Sequence, residues 1–311
     1  MKNKKQLYLL TGTAIVIIII AVLLNIDFSS RKSTTKLPEQ LFKVDSANVT
    51  KIEFEQRGTK FTLSKVDFQW KITSPVVYQA NQNFIAQALS SLQRYKIRSL
   101  VSTNPQNKDK FGFNDTNFVK ITVYENDKVD GSLMIGNMGT GGSITYIKLP
   151  DKDEIYLSDG LIRGYFYKER MMNEWRDLSI LSIPTLQIRT LEFNMPSEHY
   201  TLYQDSTGKF YTLNRDSINT TNLESVLTLL KNMNTQDFKD STISPDTKAE
   251  YSLKVETTEK NYLIEFIPYT TGEKPMYLLR ISDIKQIFLV DKLYLQNLIK
   301  SKKDLVVSKT K

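Results

Sequence analysis

A glycine-rich segment is the part of this chain whose residue types come closest to a ligand-binding motif. Residues 136–142 read Gly-Asn-Met-Gly-Thr-Gly-Gly. A phosphate-binding loop needs a helix directly after it, usually one that begins with Lys and Ser or Thr, so that backbone N–H groups converge on the anion. Residues 143–148, Ser-Ile-Thr-Tyr-Ile-Lys, instead have the composition of a strand. The pattern therefore favours a flexible hairpin connection over a phosphate site.

His199 is the only histidine, so any histidine chemistry would have to run through it. It falls in a predicted strand, 198–202, and the chain has no cysteine. No metal-ligand spacing is recognisable around it. A Ser-His-Asp arrangement would also require His199, yet the sequence contains no Gly-x-Ser-x-Gly nucleophile turn. The sequence does not favour a catalytic or metal-binding role for His199.

Two aspartates, Asp159 and Asp291, occupy equivalent places just before predicted helices. An aspartate there accepts hydrogen bonds from free backbone N–H groups and suits the helix dipole, so both are predicted to be N-caps. Glycosidase chemistry would need two carboxylates in one cleft, and the caps of two separate helices have no reason to meet.

Trp70 and Trp175 are expected to pack in the interior, and the aromatic run 165–167 fits either a contact face or a buried helix. No catalytic, cofactor-binding or metal-binding residue is predicted.

The elements that carry these residues recur along the chain. Three segments of the first half are repeated in the second half in the same order, which chance does not explain. The matching segments are 50–54 and 189–193, the helical patterns 81–92 and 219–230, and 155–161 and 287–293. The sequence therefore predicts two repeat-related modules, 45–182 and 186–306, with Pro184 in the short joint between them.

Hydrophobic periodicity assigns similar content to each module. Alternating apolar residues predict strands separated by turns, and apolar residues three and four apart predict a few helices. The predicted strands lie at 52–54, 61–63, 70–72, 119–124, 133–135, 145–148, 154–157, 188–193, 199–204, 209–213, 251–256, 261–266, 276–281 and 286–289. The predicted helices lie at 81–95, 159–172, 220–232 and 290–300, the third opened by a capping box of Thr221 and Glu224.

The N-terminal part of the chain is predicted to anchor it in a membrane. Residues 7–26 contain no charged residue, and a helix of twenty residues spans about 30 Å, the hydrocarbon thickness of a bilayer. A cleaved signal peptide has a shorter apolar core and a small-x-small site, which residues 24–28 do not offer. Lysines in residues 1–6 favour a cytoplasmic N-terminus, although the reverse orientation stays open. Residues 27–44 are predicted to be a tether and 307–311 a basic tail.

The complete fold prediction is the α+β class, with an N-terminal transmembrane helix followed by two tandem modules of mostly antiparallel sheet with packed helices.

The charge distribution argues against a nucleic-acid partner. The net charge is +8, but the surplus of Lys and Arg lies in residues 1–36 and 300–311. The body between them has no basic surplus to neutralise a phosphate backbone. The absence of cysteine also excludes disulfides and a lipidated cysteine anchor.

Several turn and core motifs follow one another in the first module. They are Val49–Phe54, Phe68–Val76, Leu89 with Leu92, Asn104-Pro105, Lys110–Phe113, Ile135–Asn137 and Ile155–Leu157. In this order they resemble the bacterial domain-of-unknown-function family 4340, over most of residues 45–182 and more weakly over the second module. In the second module Glu250–Leu253 stands where the Phe-Gly-Phe turn is expected, and no Ile-Gly-Asn turn is present.

Members of that family are typically one-helix membrane proteins, often encoded beside ABC-type permease and gliding-motility-like transport components. The resemblance implies an accessory extracytoplasmic subunit, with no established activity and no catalytic residues to carry over. We therefore expect a non-enzymatic binding or scaffolding protein in the cell membrane, without a cofactor. Its expected partners are a membrane protein complex, such as ABC permease components, and the lipid bilayer through residues 7–26. Two alternatives stay open: an envelope hydrolase that uses carboxylates, and a surface adhesin.

Overall fold

The computed structural model describes residues 37–244, 246–271 and 274–307. From Gln40 onward these residues form one compact unit. The predicted transmembrane helix over residues 7–26 lies outside the described residues, as do most of the tether and residues 308–311. Among the residues that are described, no helix is both long enough and apolar enough to cross a membrane.

Nine strands form the first of two large sheets, and all of their pairings are antiparallel. Alternation along a strand sends successive side chains to opposite faces, so Ile52 and Phe54 are buried while Glu53 between them is not. The strands are β1 Val49–Gln56, β2 Thr59–Val66, β3 Gln69–Ser74, β4 Tyr78–Gln79, β5 Ile97–Ser102, β6 Val119–Glu125, β7 Lys128–Met138, β8 Ile144–Lys148 and β9 Ile155–Asp159. Their order across the sheet is β4-β3-β2-β1-β6-β7-β8-β9-β5.

Eight later strands form the second large sheet, and two short strand pairs lie outside the large sheets. In chain order, the eight strands of this sheet and the four strands of the short pairs are β10 Ser179–Leu181, β11 Ile188–Met195, β12 Glu198–Gln204, β13 Phe210–Tyr211, β14 Ser217–Ile218, β15 Met233–Asn234, β16 Asp237–Lys239, β17 Tyr251–Thr257, β18 Asn261–Thr271, β19 Lys274–Ile281, β20 Ile284–Asp291 and β21 Val306–Val307. The second sheet has the order β13-β12-β11-β17-β18-β19-β20-β16. The short pairs are β10 with β15 and β14 with β21.

Helices are few in the described residues, and most are short. They are α1 Gln82–Arg94, α2 Ile162–Phe166, α3 Thr220–Lys231, α4 Lys292–Leu298 and α5 Lys302–Leu305, with 3₁₀ turns at Pro105–Asn107, Asp109–Phe111, Met171–Trp175 and Thr185–Gln187. The two longest helices begin in the same way. The side chain of Asn81 accepts the Phe84 N–H before α1, and that of Asn219 accepts the Asn222 N–H before α3.

The two large sheets have corresponding strand orders. Starting from β3 in the first sheet and β13 in the second, each successive strand of one sheet has a counterpart in the other, ending at the edge strands β5 and β16. Each sheet buries one face against its longest helix, so that α1 contributes Leu89 and Leu92 to the first core and α3 contributes Val226 and Leu230 to the second. Residues from Gln40 onward form one compact unit that is not divided further. The module boundaries 45–182 and 186–306 therefore stay a prediction.

The predicted α+β class is wrong. The described residues are mostly antiparallel sheet, and each of the four predicted helices is shorter than the sequence indicated. The largest difference lies in the helix predicted over 159–172, because β9 continues through Asp159 and Gly160 then turns the chain with φ of +92°. The helix α2 begins only at Ile162 and ends at Phe166. The edge strand β5 was not predicted because none of its residues is buried, so it lacks the apolar alternation that marks a half-buried strand.

The connection between the two sheets is built on a buried arginine. The side chain of Arg176 is fully buried, and it donates to both carboxylate oxygens of Asp240 at 2.8 and 2.7 Å. Its guanidinium group lies 4.4 Å from the ring centre of Phe238, which also contacts Tyr78 of β4 edge-on at 5.0 Å. Because burial removes the solvation of a charge, such a pair tolerates little displacement. The residues before and after the connection are therefore held in one fixed arrangement.

Candidate binding groove on the second sheet

The outer face of the second sheet carries a small apolar cluster of its own. Ile267, Leu278 and Ile287 are buried there, and Ile243 from the segment after β16 packs against them. Alternation along β18, β19 and β20 makes this arrangement possible, because their other apolar residues, such as Leu279, face the main core. The segment after β16 thus crosses part of the outer face and leaves the rest open.

Beside this cluster lies an open groove with a volume of about 490 Å³. The segment that leaves β16, residues 239–243, forms one wall. The ends of β18, β19 and β20 form the floor and the opposite wall, through Leu263, Glu265 and residues 280–287 except Asp283. Apolar, cationic and polar side chains therefore meet in one concave surface, as in many binding sites.

A tight turn fixes the end of the groove. Ile281 pairs with Ile284 across the two residues Ser282 and Asp283, and Asp283 has φ of +65°, a conformation that aspartate tolerates in turns. Ser282 ties this turn to β18: its N–H donates to the Leu263 carbonyl and its hydroxyl accepts the Leu263 N–H, both at 2.9 Å. The turn is therefore held firmly against the neighbouring strand.

The strand β20 extends beyond the strand that pairs with its outer edge. β16 pairs with residues 287–289 of β20 and ends at Lys239, whereas β20 begins at Ile284. Among the described strands, none pairs with Ile284–Gln286 on the groove side. The Gln286 side chain donates to the Lys239 carbonyl at 3.1 Å and so keeps the departing segment near the edge. The result is a notch in the sheet edge, since β16 stops before β20 does.

A bidentate ion pair lines the floor of the groove. Arg280 donates to the two carboxylate oxygens of Glu265 at 2.7 and 3.2 Å, and also to the Thr247 carbonyl at 3.1 Å. Both side chains are about one-fifth exposed. The hydrogen bond that Arg280 donates to Glu265 raises the pKa of Arg280, so this guanidinium group is permanently charged.

The second carboxylate of the groove is also bound by an arginine. Asp240 lies in the wall, and both of its oxygens accept hydrogen bonds from the buried Arg176. Two lysines add positive charge: the Lys239 ammonium donates to the Tyr269 hydroxyl at 2.8 Å, and Lys285 is exposed. No carboxylate in the described part of the chain forms an ion pair with either lysine. Because each acid is matched by an arginine, the lysines give the groove a net positive charge.

This arrangement is suited to binding and provides no free acid–base pair. General acid–base catalysis requires a carboxylate or histidine within reach of a reacting group and free to exchange a proton. Both acids that line the groove instead accept two hydrogen bonds from a guanidinium group. Across residues 37–244, 246–271 and 274–307, no three His, Asp or Glu side chains form a group that would hold a metal ion. The groove offers positive charge, apolar contact and strand-edge hydrogen bonds.

The candidate residues from the sequence lie elsewhere. The glycine-rich segment is a hairpin connection, as predicted, because β7 ends at Met138 and β8 begins at Ile144 in an antiparallel pair. His199 lies in β12, with its side chain 56% exposed and its Nε2 atom 3.7 Å from Glu192 Oε1. Trp70 and Trp175 are buried, as expected. None of these residues lines the groove.

The predicted helix caps are confirmed only in part. Asp291 caps α4, since its side chain accepts the Tyr294 N–H at 2.8 Å. Asp159 is the last residue of β9, and its carboxylate instead pairs with Arg98 of β5. The predicted capping box also differs, because Asn219 caps α3 one residue before the helix begins. The aspartate cap failed in the first copy because the glycine after it ends the strand and delays the helix.

The chain belongs to the family described as Domain of unknown function (DUF4340), whose model matches residues 70–255. This confirms the resemblance found in the sequence. The match begins in β3 and ends in β17, so it includes the Arg176–Asp240 connection and the wall of the groove at 239–243. No match was found among curated proteins or among solved structures.

Sequence reasoning missed the charged residues of the groove. Glu265 and Arg280 meet only because β18 pairs with β19, and Arg176 meets Asp240 across 64 residues of chain. One signal was available: residues 281–284 read Ile-Ser-Asp-Ile, two apolar residues around a polar pair, which is typical of a tight hairpin. It would have extended the strand predicted at 286–289 toward Ile284.

Proposed function

We propose that this protein is a non-enzymatic binding or scaffolding component of the cell envelope, accessory to a membrane protein complex such as an ABC-type permease. Its N-terminal part, including the uncharged segment 7–26, attaches it to the membrane with the N-terminus in the cytoplasm. The folded body lies on the extracytoplasmic side and presents the groove to a partner. Membership of the family is compatible with this role, and the family description names no activity.

The construction of the groove is the observation that carries the proposal. Two arginines neutralise its two carboxylates, and the apolar residues Ile243 and Ile287 lie beside a strand edge that is open to hydrogen bonding. These are the properties of a surface that recognises another chain. The Arg176–Asp240 pair also connects the wall of the groove to the segment between the sheets, so a bound partner would contact a rigidly held part of the molecule.

Co-purification of the full-length chain tests the role. The tagged protein is crosslinked in intact cells and extracted in a mild detergent, and the proteins recovered with it are identified by mass spectrometry. We expect integral membrane proteins, among them a permease, to be recovered well above the level of an unrelated single-span protein. Recovery of the monomer alone after crosslinking would overturn the proposal.

The proposed location has its own test, because the chain contains no cysteine. Ser206→Cys places a single thiol in the exposed turn after β12. A membrane-impermeant maleimide should label this variant in cells whose inner membrane is intact. Labelling only after that membrane is opened would contradict an extracytoplasmic body. A cysteine placed at Asn3 is the reciprocal control and should react only in opened cells.

A further inference from the structure

We infer that the groove accepts an extended, acidic peptide segment of a partner protein, which adds as a short strand beside Ile284–Gln286. This inference rests on the proposed binding role and names the chemistry of the partner. The bound segment would continue the line of β16 past Lys239, where the sheet edge is left open.

The backbone supplies the first part of the recognition. Strand addition requires N–H and C=O groups that no other strand uses, and no described strand pairs with the outer edge of β20 over Ile284–Gln286, where the register between β19 and β20 also shifts. Three residues of strand span about 10 Å at 3.3 Å per residue. The β19–β20 turn limits this edge at one end and the Gln286–Lys239 hydrogen bond limits it at the other. The notch therefore fits a short strand of about three or four residues.

The side chains supply selectivity for acidic residues. Glu265 and Asp240 are each neutralised by an arginine, which leaves Lys239 and Lys285 as the uncompensated charges of the groove. An incoming carboxylate would meet Lys285 at the open edge and Lys239 in the wall of the groove. Alternate residues of an added strand point to opposite faces, so acidic side chains could reach the lysines while apolar ones cover Ile287.

Charge also argues against occupation by this chain itself. The segments outside the described residues that flank the body are basic, with Arg31, Lys32 and Lys36 on one side and Lys309 and Lys311 on the other. Neither basic tail complements a positively charged groove.

Peptide binding to the full-length protein in mild detergent tests the inference. The probe is a fluorescein-labelled heptapeptide of alternating valine and glutamate, and the control replaces each glutamate by lysine. Fluorescence polarisation should show binding of the acidic peptide that weakens as salt is raised, and at least about tenfold weaker binding of the basic peptide. Equal binding of the two peptides would overturn the charge argument.

Backbone methylation separates strand addition from simple charge attraction. Two further acidic peptides carry N-methyl groups on alternate residues, one at the odd and the other at the even positions. A strand uses only one of its edges to pair with a sheet edge, so one methylated peptide should lose at least about tenfold in affinity and the other should bind like the parent. If both bind like the parent, the strand-addition geometry is wrong.

Two protein variants locate the site. Lys285→Glu should weaken binding of the acidic peptide about tenfold, because it exchanges an attractive charge for a repulsive one. Lys152→Glu makes the same exchange in the matching β8–β9 connection of the first sheet and should leave binding unchanged. Equal weakening by both variants would overturn the location. A dimer of the wild type that Lys285→Glu dissociates, measured by light scattering, would instead assign the groove to a second copy.

The peptide experiment and the co-purification fail independently. If membrane proteins are recovered with the chain but the acidic peptide does not bind, the inference falls and the proposed function stands. If the peptide binds as described but no membrane protein is recovered, the groove chemistry stands and the proposed function falls.

Discussion

The outer faces of the two sheets carry different residues at matching positions. Met134 lies opposite Lys148 in the first sheet, where Glu265 lies opposite Arg280 in the second. Lys148 donates to the Pro150 carbonyl at 3.2 Å and contacts the Met134 sulfur at 3.9 Å. Burial lowers the pKa of this lysine, whereas the carboxylate beside Arg280 raises the pKa of the arginine. One sheet partly buries a lysine that forms no ion pair with a described carboxylate, and the other builds a fixed ion pair.

The two sheets also differ at their matching edges. β5 is six residues long and pairs along β9 from Ile155 to Ser158, whereas β16 pairs over three residues and leaves the start of β20 open. A loop of residues 149–154 joins β8 to β9, but a two-residue turn joins β19 to β20. With the same strand order, the edge strand β5 covers most of β9 in the first sheet, whereas β16 leaves a notch beside β20 in the second. Shortening one edge strand and tightening one turn is enough to create the notch.

Removing the acid of the buried pair should have the largest effect on stability. Asp240→Ala leaves Arg176 buried without a carboxylate, and we expect the free energy of unfolding to fall by about 3–5 kcal/mol. Urea unfolding of the full-length chain in detergent, followed by circular dichroism, measures this change. Glu169→Ala, which breaks the exposed pair with Arg57, is the control and should lower the free energy of unfolding far less. Equal losses would show that the connection does not depend on the buried charge.

Exchanging the residues opposite the two cations should have the next largest effect. Glu265→Met copies the first sheet and leaves Arg280 without its carboxylate, so we expect a loss of about 1–3 kcal/mol in the free energy of unfolding. Met134→Glu copies the second sheet and should raise the pKa of Lys148, with a gain of at most about 1 kcal/mol. NMR titration of the lysine ammonium measures the pKa, and urea unfolding measures both changes. The comparison fails if both substitutions destabilise the protein to the same extent.

Removing each of the two repeat-related aspartates should lower the free energy of unfolding by different amounts, both smaller than the losses expected above. Asp291→Ala removes a helix cap and should cost about 1 kcal/mol in the free energy of unfolding. Asp159→Ala removes only a partly exposed pair with Arg98 and should cost less than about 0.5 kcal/mol. Thermal unfolding monitored at equal protein concentration measures both variants. A larger loss for Asp159→Ala would mean that the contact between β5 and β9 depends on this pair.

The smallest expected effect is a pH dependence that Lys148 gives to the first sheet and that Arg280, at the matching position, does not give to the second. Because burial lowers the pKa of Lys148, the folded state begins to release this proton below pH 10.5, the value for a solvated lysine. As pH rises through the folded pKa toward 10.5, the unfolded state binds more protons, so this residue's contribution to the free energy of unfolding increases. Lys148→Met should therefore be the more stable protein near neutral pH, by well under about 1 kcal/mol, with a smaller advantage near pH 11.

That difference is measured as the change in unfolding free energy between wild type and Lys148→Met at pH 8 and pH 11. Subtracting the two proteins cancels the titration of the tyrosines, whose raised pKa values act in the opposite direction. A Lys148→Met advantage that grows with pH would contradict the assigned direction of the pKa shift.

The strands with one buried face were predictable from the sequence, and so were the two longest helices. β1, β6, β11 and β17 alternate apolar and polar residues, which is the direct consequence of burying one face. α1 and α3 have apolar residues at helical spacing. The edge strands β5 and β16 were missed because an edge needs fewer buried side chains and shows less alternation. The helix over 159–172 was overestimated because a short helix is enough to bury Ile162 and Phe166, and the chain then continues into a 3₁₀ turn.

The groove could not be predicted from the sequence, for a different reason. Each of its ion pairs joins residues that only strand register or the path of the connection brings together, as Glu265–Arg280 and Arg176–Asp240 show. The notch depends on where β16 stops relative to β20, a difference of three residues. Periodicity locates strands but does not fix their ends to that accuracy. The sequence could indicate the strands of the sheet that carries the groove. The groove itself is defined only by how those strands pair.

The burial of Trp175 gives the molecule a built-in optical probe. Trp70 and Trp175 are the only tryptophans of the chain, and both belong to the core of the first sheet. Trp175 packs against Phe54 and Phe84 at 4.8 Å between ring centres and directly precedes Arg176. Indole emission therefore reports the melting of one half of the body, while circular dichroism reports both halves. Superimposable curves from the two signals would show that the connection makes the halves unfold as one cooperative unit, and separate curves would give each half its own stability.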